Sequence, residues 1–468
     1  MDPLSEMLDS ILDKRPKLKE LNSDQTILEY LRPAVEWKQQ KDIFPYTDLL
    51  SEVITSGIEG LYGKNLAKKA KKQLESSWVV ETGAHLHIPR RYEKVLYTEG
   101  PQINSLLFQG QILWALANKA LGNDLSISLN SGRVPLDNTN SGAYLDLPGL
   151  KTPMPLMSKK RYPEAPQSFI PAASKIDIKR KMELLAAYRQ SRNLPEHQYL
   201  LGMEVLKNFL KVQSNFSDQV CTTHALMLNK VSPIKQITLD SEFVGRDFIL
   251  PLLEDKKSLM YKIFNTPGLR EKFIISFANI RTGWVLGVGT PFHSIIEVDG
   301  ELRLANYNGN LDPATLIKGL KNRTLWPTGV LKFFVMMAEA GMLPTGGWTQ
   351  SVYCSDIKAQ AIKFLEELSL TERAKVLQQM PTYIAAVAPC WGIDEIGGHL
   401  QLLDAMTPIL DPASVDLSQI INLTCDQTLL VAMPTLYEFI LGEPPSLNYD
   451  DLEDNLQFAL RPIKETKL

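Results

Sequence analysis

Apolar residues in the N-terminal region recur at helical spacing, in Leu4, Met7, Leu8, Ile11 and Leu12 and again in Leu49, Leu50, Val53, Ile54, Ile58 and Leu61. Apolar side chains three and four residues apart line one face of a helix, so the pattern predicts a helical cap over residues 1–72. The basic run from Lys64 to Lys72 has no aromatics between its charges, which predicts a solvated helix face rather than a nucleic-acid patch. The pattern then changes period. A short β-rich run at Trp78 to Val80 is followed by helical spacing from about Ser105 to Leu121 and a second β-rich run at Leu125 to Leu129. Strand, helix and strand in that order predict a parallel βαβ unit. Ser131 to Pro171 is crowded with Gly, Pro and Asn, and so long a loop directly after a strand points to function. Met182 to Val212 is helical again, with Glu196-His197 in a loop between two helices.

A second tract reads as strand at Phe273 to Phe277, expected to join the same sheet, and then as a β-meander. Its strands are Trp284 to Gly289, Ser294 to Val298 and Leu302 to Leu304, with Asp299-Gly300 as a tight hairpin turn. Asp312-Pro313 opens a helix, Thr328 to Met342 forms another, and a glycine-rich break at Pro344 to Gln350 precedes a helix through Lys358 and Leu365. Beyond about Thr371 the chain reads as mostly helical. The fold class expected is therefore α/β: a Rossmann-like, mostly parallel sheet core over 73–370 with a helical insertion at about 176–230 and helical additions over 1–72 and 371–468.

Composition narrows the function classes. With 468 residues, 44% of them hydrophobic, and a net charge of -3, the chain can bury large cores and carries no electrostatic footprint for nucleic acid. The acidic start, Met1-Asp2-Pro3-Leu4-Ser5-Glu6, is unlike a signal peptide, and Val330 to Leu343, the nearest run to a membrane span, is interrupted by Lys332 and Glu339. A cytoplasmic protein without membrane contact is expected. Cys221, Cys354, Cys390 and Cys425 are scattered without a C-x-x-C pair, which predicts reduced, buried thiols.

Candidate chemistry concentrates in Trp78 to Arg91, where a strand breaks at Gly83 and brings two imidazoles, His85 and His87, and two guanidinium groups, Arg90 and Arg91, into one loop. In an open α/β sheet ligands bind where strands end, and a glycine there lets the backbone approach an anion. Arg90 and Arg91 suit bidentate anion contact, while His85 or His87 suits proton transfer near neutral pH. Gly346-Gly347 ahead of a helix is a second anion-site candidate, since free N–H groups and the helix dipole face it. Two other readings of the histidines stand beside this. His85-x-His87 with Met157-Ser158-Lys159-Lys160 resembles the paired signatures of class I nucleotidyl transferases, and His85, His87 and His293 are a conceivable metal set. His197, His224 and His399 stand alone in the sequence and are expected to be ordinary.

The order of elements resembles the bacillithiol-biosynthesis cysteine-adding ligase family. The matching residues are Thr82-Gly83, Gln109 and Gln111, His293 to Gly300, Leu325 to Leu331, and Leu343-Pro344-Thr345-Gly346-Gly347 with Gln350 and Tyr353. The chain departs from that family at Ala84-His85-Leu86-His87, where a glycine-rich continuation would stand, and at Ser131 to Asp137. The resemblance implies a Rossmann-like core and the joining of an amino acid to an amine after activation by a nucleotide, ATP or ADP with Mg. The expected site is one cleft between Thr82 to Arg91 and Gly346 to Gln350. His85 or His87 would serve there as general acid/base, and Thr82, Gly83, Arg90, Arg91, Gln109, His293, Gly346, Gly347 and Gln350 would bind the substrate. The expected partner is a small molecule, with at most a second copy in a homodimer. The alternative is a non-enzymatic, partner-binding protein with a vestigial cleft.

Overall fold

The computed structural model describes residues 3–14, 16–21, 23–83, 85–89, 101–133, 144–158, 162, 166–192, 194–278, 295–298, 301–304, 311–346, 348–382, 393–396, 399–402, 405–414, 417–429 and 437. At its centre four strands, β1 (Val79–Glu81), β2 (Leu125–Asn130), β3 (Lys235–Asp240) and β4 (Leu343–Thr345), form one parallel sheet in the order β3-β2-β1-β4. The register runs from Leu125 opposite Lys235 to Asn130 opposite Asp240, and from Val79 opposite Leu343 to Glu81 opposite Thr345. Every residue of β2 is buried, as expected of a parallel sheet covered on both faces.

The cover comes from five helices: α1 (Thr47–Tyr62), α2 (Pro101–Ala120), α3 (Phe216–Leu228), α4 (Ser241–Glu254) and α5 (Gly329–Ala340). Gln111 of α2 bonds Asn130, and His224 of α3 bonds Gln111, so α2 and α3 share the face onto which Asn130 projects. Leu239 projects to the opposite face and packs on Gly57 of α1, which also touches α4 and α5. The chain thus steps from β1 to β2 to β3 under one face and returns under the other to place β4 on the far side of β1. That reversal makes the gap between β1 and β4 a topological switch point, the position where open α/β sheets leave a crevice at their carboxyl ends. The expected α/β, Rossmann-like class is the fold observed.

Indole hydrogen bonds fix the entry to β4. Trp78 Nε1 donates to Ala340 O at 2.9 Å and Trp37 Nε1 to Gly341 O at 3.0 Å. Gly341 ends α5 in the left-handed conformation at φ 62°, and a Cβ there would lie 2.5 Å from the Phe44 ring. We expect Gly341→Ala to lower unfolding free energy by roughly 2–4 kcal/mol, from backbone strain plus overpacking, measured by denaturant titration.

Several sequence expectations need correction. Phe273 to Phe277 lies within a helix, Pro267–Ala278, and is not a strand of the sheet. Phe273 and Phe277 are one helical turn apart, fully buried, and meet Phe334 edge-on at 4.7 and 5.3 Å, whereas Ile275 between them is 63% exposed. A short apolar run cannot distinguish a buried strand from a helix face by period alone. The places in the sheet go instead to β3 and β4. The segment after Thr371, expected to be mostly helical with a loop at Gly392 to Gly398, begins with the helix Thr371–Gln379, but Ile393–Ile396 and His399–Leu402 pair as an antiparallel hairpin. Glu196 and His197 form the first turn of the helix Glu196–Lys211 rather than a loop.

Other expectations hold. Ile295–Val298 and Glu301–Leu304 form the antiparallel hairpin, with Val298 opposite Glu301; its turn residues and Trp284 to Gly289 lie outside the described residues. Asp312 and Thr328 cap their helices, accepting from Thr315 N and Leu331 N. Lys68, Lys69, Lys71 and Lys72 are exposed. Cys221, Cys354 and Cys425 are buried, and Cys390 lies outside the described residues. Among the described residues no helix is long and apolar enough to cross a membrane.

Candidate functional site

The two loops expected to share a cleft leave the sheet side by side. Thr82, directly after β1, receives its place from Thr345 at the end of β4: both its backbone N–H and its Oγ1 donate to Thr345 O, at 2.7 and 2.5 Å. Gly346 therefore emerges beside Thr82 and is buried. Gly83 N–H is already given to Glu81 Oε1 at 2.6 Å, so this amide serves the loop itself. Arg90, Arg91, His293 and Gly347 lie outside the described residues, and Gln350 falls within the helix Trp348–Glu367.

The two loop histidines separate. After the break at Thr82 the chain rejoins the sheet just past the carboxyl end of β2, His85 pairing with Ser131 and Leu86 N donating to Ser131 O at 2.9 Å. His85 projects to solvent, whereas His87 is fully buried. His87 Nδ1 contacts His85 O at 2.7 Å, and its ring stands edge-on to His224 at 4.7 Å. His87 thus belongs to the interior. His85 faces the outside from densely packed surroundings. Desolvation by that protein, with help from the Lys332 and Arg133 cations and against the pull of Glu242, lowers its imidazole to about 4 although the residue is exposed. It is neutral at pH 7 and able to accept a proton.

Sequence reading missed the charged cluster behind His85. Glu242, in the first turn of α4, is fully buried; its Oε1 accepts from Lys332 Nζ of α5 at 2.6 Å and from Ser131 Oγ at 3.1 Å. Its Oε2 is buried with no hydrogen-bond partner. Lys332 Nζ also donates to Ser241 Oγ at 2.9 Å, and burial pushes its ammonium below the usual range. Arg133, two residues beyond the His85–Ser131 bridge, is half-buried and likewise lowered by desolvation. Asp240 ends β3 and caps α4, accepting from Glu242 N at 2.9 Å and from Ser168 Oγ at 2.6 Å. One signal for this cluster was available: the run Ile237-Thr238-Leu239, with two β-branched residues, ends at Asp240-Ser241-Glu242, a strand followed by an N-cap and an acidic first turn.

Burial, reinforced by Glu242, raises Asp240 to about 6, against the hydrogen bonds from Ser168 and Ser217. A raised carboxyl pKa in the folded state contributes stability below the unfolded pKa, and that contribution is lost as pH rises through 6. We therefore expect the stability advantage of wild type over Asp240→Asn, which keeps a capping oxygen, to shrink by about 2–3 kcal/mol between pH 4 and pH 7. Denaturant titrations at both pH values check this.

A third group of polar side chains lies on the other face, beneath Thr82-Gly83. Gln111 Nε2 is 3.1 Å from both Glu81 Oε2 and Asn130 Oδ1, and Gln111 Oε1 is 2.6 Å from His224 Nε2. His224, which looked ordinary in sequence, is fully buried at the centre of this group. Gln109 is fully buried on the same helix, α2. Among the described residues no group of three His, Cys, Asp or Glu side chains is arranged to hold a metal ion.

The sequence matches no known protein family and no curated protein.

Proposed function

We propose that this protein is a small-molecule biosynthetic enzyme, a ligase or group-transfer enzyme that joins an amino acid or acyl group to an amine at the β1/β4 crevice. The observation that carries the reading is a neutral, exposed His85 in the loop that leaves β1 at the carboxyl end of the sheet, with cationic Arg133 two residues beyond its bridge to Ser131. The resemblance to the cysteine-adding ligases, through Thr82-Gly83 and Leu343 to Gly347, supports the same chemistry.

In this account His85 takes the proton that the attacking amine loses as its nitrogen bonds the acyl carbon and the bond from that carbon to the leaving group breaks, and Glu242 stabilises the imidazolium so formed. Arg133 meets negative charge on the acyl partner. An activating nucleotide would convert the carboxylate into an acyl group with a good leaving group. Its phosphates fit the charge of Arg133. Mg would be held chiefly by those phosphates, since Mg sites commonly use one or two carboxylates and the substrate. The test is condensation of amino acids or acyl donors with amines in the presence of ATP, read as amide product. Product formed by wild type and lost in His85→Ala is the expected result. Product formation that His85→Ala leaves intact contradicts the role given to His85, and binding of a protein partner without turnover favours the vestigial-cleft alternative.

A further inference from the structure

Donor and acceptor accounting does not close in the group formed by Glu81, Gln111 and His224 if the carboxyl is ionised and the imidazole neutral. His224 Nδ1 lies 2.9 Å from His87 O, which can only accept, while its Nε2 faces Gln111, whose other end faces Glu81. With the Gln111 nitrogen toward Glu81, its oxygen takes the Nε2 proton, and a bare Nδ1 is left against the His87 carbonyl. With the amide turned, Nδ1–H serves His87 O and the Gln111 nitrogen serves Nε2, but the Gln111 oxygen then meets the carboxylate. Either arrangement buries acceptor against acceptor, at a cost comparable to an unmade hydrogen bond. One more proton removes the conflict in both.

We propose that Glu81, Gln111 and His224 form a buried proton site that holds one proton at neutral pH, shared between the carboxyl and the imidazole, with the Gln111 amide turning to match. Glu81 and His224 are 6% and 0% exposed. Burial lowers the His224 imidazole to about 4, opposed by its hydrogen bond to His87, which disfavours the proton at the imidazole end. The turned amide also explains Asn130, whose Nδ2 is buried with no hydrogen-bond partner. Turning Asn130 together with Gln111 gives that N–H the Gln111 oxygen. The titratable group against the His224 ring is His87, edge-on at 4.7 Å. Glu81 Oε1 holds Gly83 N–H at 2.6 Å, so Glu81 and His224 are positioning residues for the crevice loop.

The test is the nitrogen-15 spectrum of the His224 imidazole at pH 7, together with the infrared stretch of protonated carboxyl groups in wild type and Glu81→Gln. Expected are a neutral ring protonated on Nδ1 and a protonated-carboxyl band lost in Glu81→Gln. A doubly protonated His224 also supports the site, with its proton at the imidazole end. A neutral ring protonated on Nε2 overturns the proposal, as does a neutral ring with no protonated-carboxyl band lost in the variant. Should Glu81→Gln fail to fold, the tautomer in wild-type protein decides alone.

Discussion

Lys332→Met is expected to lower unfolding free energy by about 3–5 kcal/mol, because it leaves an uncompensated carboxylate in the interior. Glu242 is fully buried, and its Oε2 already has no partner; removal of Lys332 takes the ammonium 2.6 Å from Oε1 and leaves Ser131 Oγ as the remaining donor. The double variant Glu242→Leu/Lys332→Met is expected to recover most of the loss, since an apolar pair of similar volume is often as stable as a buried ion pair. Denaturant titration of the four proteins in the cycle measures the coupling. A double variant as unstable as Lys332→Met alone would show that the pair does more than neutralise itself. A pair that stability does not require, set beside the only loop histidine that reaches solvent among the described residues, fits a role at the site better than a role in the fold.

The second large effect concerns turnover. His85→Ala is expected to keep the melting temperature and to reduce kcat about a hundredfold or more, the usual contribution of a general acid or base. His87→Ala should behave in the opposite sense, lowering stability by roughly 2–4 kcal/mol through a cavity beside His224. The pH profile separates His85 from Asp240, which is raised to about 6: with His85 lowered to about 4, activity should stay level down to about pH 5 and fall as pH drops through 4. Comparison of kcat and melting temperature for the two variants checks the division of labour. An inactive but stable His87→Ala would reverse it.

Those expectations rest on contacts that the sequence revealed unevenly. The βαβ unit at Trp78 to Leu129 was legible because Trp78-Val79-Val80 is apolar, Leu125, Ile127 and Leu129 alternate with serines, and the helix between them is long. β3 was hidden by its polar residues Gln236, Thr238 and Asp240, which are buried yet bonded: Gln236 Nε2 to Ser232 Oγ and Asp240 to Ser168 Oγ. β4 was hidden by brevity and by Pro344, which sits in the sheet opposite Val80. His85 and His87 look equivalent in sequence. They differ because the chain at His85 and Leu86 pairs with Ser131 past the end of β2, leaving His85 exposed and His87 in the interior. The Glu242–Lys332 pair joins residues 90 positions apart, and no local pattern announces such a contact.

The central claim is that an anionic ligand binds at the carboxyl ends of β1 and β4, next to His85. Backbone amide shifts recorded while ATP is added to the wild-type protein test it most directly. The account predicts the largest changes at Thr82, Gly83, His85, Arg133 and Gly346. Largest changes on the helices Lys175–Arg192 and Glu196–Lys211 or on the Ile393–Leu402 hairpin would contradict it, as would no change at all.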